Sequence, residues 1–112
     1  MMIYRVIVTD QAQSDLENIF EYIAIKLHSP YSASKLIKKL TAAMHNLELF
    51  PEGNRRYWEE PWYSRNLRIM SVDKYCVLYY PDSENLMVRI YRVVNSRRDI
   101  SRLLKESSEI EN

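Results

Sequence analysis

The 112-residue sequence is poor in the residues that build the commonest chemistry. It has one cysteine, Cys76, which excludes an internal disulfide framework and a multi-cysteine metal centre and fits a reducing compartment. Its two histidines, His28 and His45, fall on separate expected helices with no cysteine nearby, so neither a metal site nor a nucleophile–histidine arrangement is indicated. One glycine, Gly53, cannot make a glycine-rich phosphate loop. No apolar run approaches the roughly 18 residues of a membrane span, and the N-terminus lacks a signal-peptide pattern. A cytoplasmic location, no metal and no cofactor are the expectations.

What is present is ordinary in amount and uneven in placement. Hydrophobic residues make up 46% and charged residues 28%, enough for one small domain with a real core. Nine tyrosines suit half-wet surfaces. The net charge of +1 hides a gradient: residues 1–53 sum to −1, residues 54–105 to +5 and residues 106–112 to −3. A basic second half points to a polyanion or an acidic protein partner, although a sequence pI of 7.8 is low for a dedicated nucleic-acid binder.

The apolar pattern predicts the elements. Residues 3–8, IYRVIV, read as a strand with Tyr4, Val6 and Val8 on one face. Thr9 or Asp10 caps a helix from about 11 to 27 with the stripe Ala12, Leu16, Ile19, Phe20, Ile23 and Leu27. Ser29-Pro30 breaks it and starts a second helix with Ala33, Leu36, Ile37, Leu40, Ala43, Met44 and Leu47 on its stripe, making a helical hairpin. After an aromatic connection, NRRYWEEPWYS (54–64), three strands are expected at 65–71, 74–80 and 86–94, joined by short turns and hence antiparallel. A short helix from Ser96 to Leu104 closes the order β-α-α-β-β-β-α. The fold class is α+β, two layers, the hairpin packed on an antiparallel sheet. One domain covers residues 1–105, and 106–112 read as a polar, flexible tail.

Arginines carry the functional signal. Strict alternation puts Val88, Ile90, Arg92 and Val94 on one face of the last strand, and Met87, Arg89, Tyr91 and Val93 on the other. One arginine therefore enters an apolar layer and needs a carboxylate or several carbonyls. The other shares an open face with Arg65 or Arg68. Glu59 and Glu60 read as a solvated loop, because nothing identifies a convergent catalytic partner. Ser96-Arg97-Arg98-Asp99 resembles a capping box with Ser96 as N-cap. That leaves Arg97 and Arg98 opposing the helix dipole, and a broken local rule is where function is worth seeking.

The strand IYRVIV, then AQSDLENIFEYI, the proline-broken second helix, LFPEGNR and YCVLYYPDSENLMVRIYRVVNSRRDISRLL together resemble the RelE/ParE superfamily of toxins from bacterial type II toxin–antitoxin modules. The likeness spans about residues 2–104 and implies a RelE-like fold. RelE-like members cleave mRNA in the ribosomal A site without a metal; ParE-like members poison DNA gyrase. Both are neutralised by an antitoxin that folds as it wraps the toxin. For mRNA cleavage the resemblance offers Arg68, Arg97 and Arg98 as catalytic groups, with Arg65 beside them and Tyr75, Tyr79 or Tyr91 as a base. Cys76 stands where cleaving members often carry an arginine, and Leu103 where they carry a tyrosine. The ending RRD followed by a leucine pair looks more like ParE. The expectation is therefore a growth-inhibiting toxin acting on gyrase through Arg65, Arg68, Tyr75, Arg97 and Arg98. The alternatives are an mRNA endonuclease or a non-toxic relative that only binds an antitoxin. Antitoxin contacts are expected at Leu27, Tyr31, Leu103 and Leu104, and the assembly as a homodimer or a heterotetramer with the antitoxin.

Overall fold

The computed structural model describes the backbone of residues 3–111 and the side chains of residues 3–107. Strand β1 (Arg5–Val8) leads through Thr9 into helix α1 (Asp10–Glu21). The Thr9 hydroxyl accepts from the Ala12 amide, so Thr9 is the cap of the two residues expected to compete for that role. Helix α2 (Pro30–Asn46) starts with proline in its first turn, where a missing N–H costs nothing. Strands β2 (Arg68–Val72), β3 (Tyr75–Asp82) and β4 (Met87–Asn95) follow, then helix α3 (Ile100–Glu111).

The first helix does not run unbroken to residue 27. Tyr22–Lys26 forms a π-helical turn, in which the Leu27 amide donates to the Tyr22 carbonyl. The extra residue rotates everything after it off the stripe. Ile23 keeps an inward position, while Ile25 and Leu27 are 62% and 55% exposed. His28 then takes a left-handed conformation (φ 52°) that ends the element.

The sheet order is β1-β4-β3-β2. The three consecutive strands pair antiparallel as their short turns require, and β1 joins β4 in parallel. Apolar side chains cover both faces of the sheet. On one, the hairpin packs Ala12, Leu40, Met44 and Leu47 against Val77, Tyr79, Val88, Ile90 and Val93. On the other, Leu103 and Leu104 of α3 and Tyr57, Trp62 and Leu67 of the preceding connection pack against Cys76, Leu78 and Val94. Each large aliphatic side chain so enclosed contributes roughly 1.5–3 kcal/mol.

Strict alternation fails on β4 because of a bulge. Leu78 faces Arg92 and Tyr79 faces Ile90, which leaves Tyr91 without an opposite residue. One extra residue exchanges the faces of everything beyond it. Val93 thus joins Val88 and Ile90 under the hairpin, and Val94 joins the α3 side with Tyr91.

The start of α3 also corrects the capping assignment. Asp99, not Ser96, is the N-cap: its carboxylate accepts from the Arg102 amide at 3.1 Å. The Ser96 amide donates to the Lys74 carbonyl at 2.8 Å, which ties it to the β2–β3 turn instead. The helix runs to Glu111, past the end at Leu104 expected from its apolar residues.

Candidate functional site

The end of the sheet where β3 begins and β4 finishes is grooved. Tyr75 pairs with Asn95 there, and the π-turn of the hairpin overhangs both. Two adjoining cavities, about 590 and 360 Å³, share Tyr22, Tyr75 and Asn95 as walls. The larger is floored by Ile23, Leu27 and Leu36 and edged by Lys74. The smaller runs towards Asp15 and is edged by Arg98. Three segments distant in sequence make this groove. Their separation explains why nothing in the sequence grouped Tyr22 and Asn95 with Tyr75 and Arg98.

The groove is basic at its rim. Arg97 and Arg98 are exposed and form no ion pair among the described residues. Their backbone is fixed: the Arg97 amide donates to the Asn95 side chain and the Arg98 amide to the Asn95 carbonyl. Both precede the cap of α3, so they lie outside the helix rather than in its first turn. The dipole conflict that drew attention to them is weaker than the sequence suggested.

The other candidates separate by environment. Arg65 is exposed. Arg68 is committed to structure: Nη1 donates to the carbonyls of Asn54 (2.8 Å) and Glu52 (3.2 Å), and Nε to the Asn66 side chain (3.0 Å). Tyr79 is fully buried; its hydroxyl donates to the Pro51 carbonyl at 2.8 Å and accepts from Asn54. Burial pushes its pKa up, which removes it as a general base. Tyr91 packs edge-on against Tyr80 at 5.7 Å. Cys76 is buried and burial raises its thiol pKa, so it is a packing residue.

Of the four expected antitoxin contacts, Leu27 and Tyr31 are 55% and 78% exposed on the hairpin. Leu103 and Leu104 are not available. They sit at 5% and 0% exposure in the α3 core, because Tyr57, Trp62 and Leu67 of the 47–67 connection close over them.

The required carboxylate partner is Asp15. Arg92, not Arg89, is the arginine drawn inwards, donating Nε and Nη2 to Asp15 at 2.8 and 2.9 Å. Asp15 accepts a third bond from the Val93 amide at 2.9 Å, where β1 has ended and the edge of β4 would otherwise be bare. Those bonds hold the Arg92 pKa above its usual value. Among the described residues, no three His, Cys, Asp or Glu side chains converge to hold a metal ion, and no helix is long and apolar enough to cross a membrane.

The family model for the ParE toxin of the type II toxin–antitoxin system parDE matches residues 6–100. The chain belongs to the ParE toxin family. Solved structures agree with a ParE-like fold. A chromosomal ParDE system from P. aeruginosa aligns with a TM-score of 0.69 at 18% identity, over 83% of this chain and 96% of that one. The E. coli toxin RelE, as a free double arginine-to-alanine mutant, aligns at 0.65 and 14% identity over 96% and 97%. The RelBE2 toxin–antitoxin complex of Mycobacterium tuberculosis gives 0.57 and 21% over 84% and 99%. No curated protein matches the sequence. At these identities the structural likeness is one of fold alone.

Proposed function

We propose that this ParE-family toxin inhibits growth by binding a protein target, DNA gyrase, rather than by cutting ribosome-bound mRNA. The observation that carries the reading is the state of Arg68. Cleavage needs a cation free to meet charge developing on a phosphate. The Arg68 guanidinium instead spends three bonds on the loop at 52–54 and on Asn66. A buried Cys76 and a buried Leu103 occupy two further positions where cleaving members carry functional side chains, and a buried, hydrogen-bonded Tyr79 is unsuited to proton abstraction. What stays open is a half-apolar groove with Tyr75 in its wall, Lys74 and Arg98 at its rim and Arg97 close by, which suits docking to a protein.

Antitoxin capture belongs to the hairpin. Leu27 and Tyr31 hold apolar surface in water beside the larger cavity, as a segment that folds on binding requires. Purified toxin added to gyrase supercoiling reactions and to A-site cleavage mapping separates the two targets. Inhibited supercoiling with no cleavage is expected, and replacement of Arg97 and Arg98 by alanine abolishes the inhibition without unfolding the chain. Cleavage of mRNA with unimpaired supercoiling refutes the proposal.

A further inference from the structure

The connection between α2 and β2, residues 47–67, is long for so small a domain, and connections of that length without regular structure usually carry function. This one is rigidly held. Arg68 and Tyr79 bond to its first half. Glu59 accepts from the Ser101 hydroxyl of α3, and Glu60 accepts from the backbone and side chain of Ser64. Tyr57 and Trp62 are buried beneath it. Yet Trp58 and Tyr63 stay 60% and 46% exposed. Ordering a loop this firmly while leaving two large rings in water is what a preorganised binding surface does.

Each exposed ring carries a guanidinium. Arg55 lies over Trp58 and Arg56 over Tyr63, both at 5.1 Å from the ring centre. The Tyr57 ring stacks on Trp58 at 4.5 Å and so covers one indole face; Arg55 must take the other. The sandwich leaves no indole face for a nucleobase. A guanidinium placed there keeps in-plane N–H groups, which can grip a carboxylate with two parallel bonds.

The backbone adds direction. The Ile69 amide donates to the Arg55 carbonyl and the Tyr57 amide to the Leu67 carbonyl, so residues 55–57 extend the sheet outside β2. By strand alternation, the N–H and C=O of Arg56 then face away from the sheet. Arg55 and Arg56 project to opposite faces of that edge: by strand alternation Arg55 shares the α3 side with Tyr57, and Arg56 is paired with Arg68. Arg55, Arg56 and Arg65 form no ion pair among the described residues, whereas Glu59 and Glu60, two of the loop's four glutamates, accept hydrogen bonds from serines.

We propose that the Arg55–Tyr57 edge, with Trp58 and Tyr63, docks an extended acidic segment of a partner protein that carries two consecutive carboxylates. A strand added along this edge sends successive side chains to opposite faces, so adjacent acids meet Arg55 and Arg56 in turn. The surface is separate from the hairpin groove and does not depend on which target the toxin inhibits.

Tryptophan emission tests this, because Trp58 is exposed and the other tryptophan, Trp62, is buried at 3%. The full chain is titrated with a capped hexapeptide bearing a central Glu-Glu pair between β-branched residues. A Gln-Gln analogue and a short oligothymidylate serve as controls. A saturable shift with the Glu-Glu peptide alone is expected. The Arg55→Ala/Arg56→Ala double variant, with unchanged circular dichroism, should bind at least about tenfold more weakly. Arg55→Lys should weaken it too, because an ammonium keeps the charge and loses the fork. The proposal is overturned if the oligothymidylate binds in place of the peptide, if the double variant binds the peptide as well as the parent does, or if no peptide binds.

Discussion

Replacing Asp15 by alanine should be among the most damaging single changes that leave the apolar core intact. Asp15 and Arg92 are 12% and 15% exposed, so solvent screens their pairing little. The substitution removes two charge-assisted bonds to Arg92 and the bond to the Val93 amide at once. A guanidinium is left enclosed without its anion, a loss worth about 3–5 kcal/mol. Small domains have only about 5–15 kcal/mol of stability in total. With a urea slope of about 1–3 kcal/mol per molar, the unfolding midpoint should fall by about 2 M. Asp15→Asn keeps an oxygen for Val93 and one Arg92 donor, and should lose about half as much. A double change to Asp15→Leu with Arg92→Met removes both charges and should recover most of the loss. Urea denaturation followed by circular dichroism reads all three. An alanine variant within about 1 kcal/mol of the parent would show that Arg92 swings to solvent, and the argument from its enclosure would fail.

Tyr79→Phe leaves the Pro51 carbonyl without its donor and should cost about 1–3 kcal/mol by the same melts, with no change in the urea slope. Alkaline solution should expose a related effect. Tyr57 and Tyr79 have pKa values raised above 10.0, chiefly by burial. Unfolded tyrosines ionise near that value while these two hold their protons. Their contribution is therefore complete below about pH 10 and is lost as pH climbs through the raised folded values. Melts at about pH 9 and about pH 11 should show the decline, and a Tyr57→Phe/Tyr79→Phe variant should show a shallower one. On the hairpin, Leu27→Asp with Tyr31→Ala should weaken antitoxin binding by at least about tenfold in calorimetry, while stability moves by less than about 0.5 kcal/mol.

The elements were legible because each repeats its apolar residues at its own period, and the hairpin break was announced by Ser29-Pro30. What escaped were single-residue insertions. The π-turn at Tyr22 and the bulge at Tyr91 leave no mark in composition, yet each reassigns the side chains after it. Reading β4 as a perfect alternation could say that one of Arg89 and Arg92 needed an acid, but not that Asp15 supplied it from 77 residues away. Ser96 and Asp99 are both able caps, and the bond from the Arg102 amide to the Asp99 carboxylate decides between them. Leu103 and Leu104 share a helix face with Ile100, but the segment that closes over them, Tyr57 to Leu67, has no periodicity to betray its packing. The basic rim was partly visible: Arg97 and Arg98 stood out, while Arg55 and Arg56 passed as loop residues until their rings were located.

The parallel pairing of β1 with β4 has a consequence for how the protein is made. Among the described strands the first pairs with the last, with Arg5 beside Met87 and Val8 beside Ile90. Asp15 likewise waits for Arg92. A ribosome adding about 5–20 residues per second therefore releases β1 and the hairpin several seconds before the strand that receives them exists. Throughout that interval the stripes of α1 and α2 have no sheet to cover. A message truncated before residue 87 thus yields a chain that cannot close its sheet.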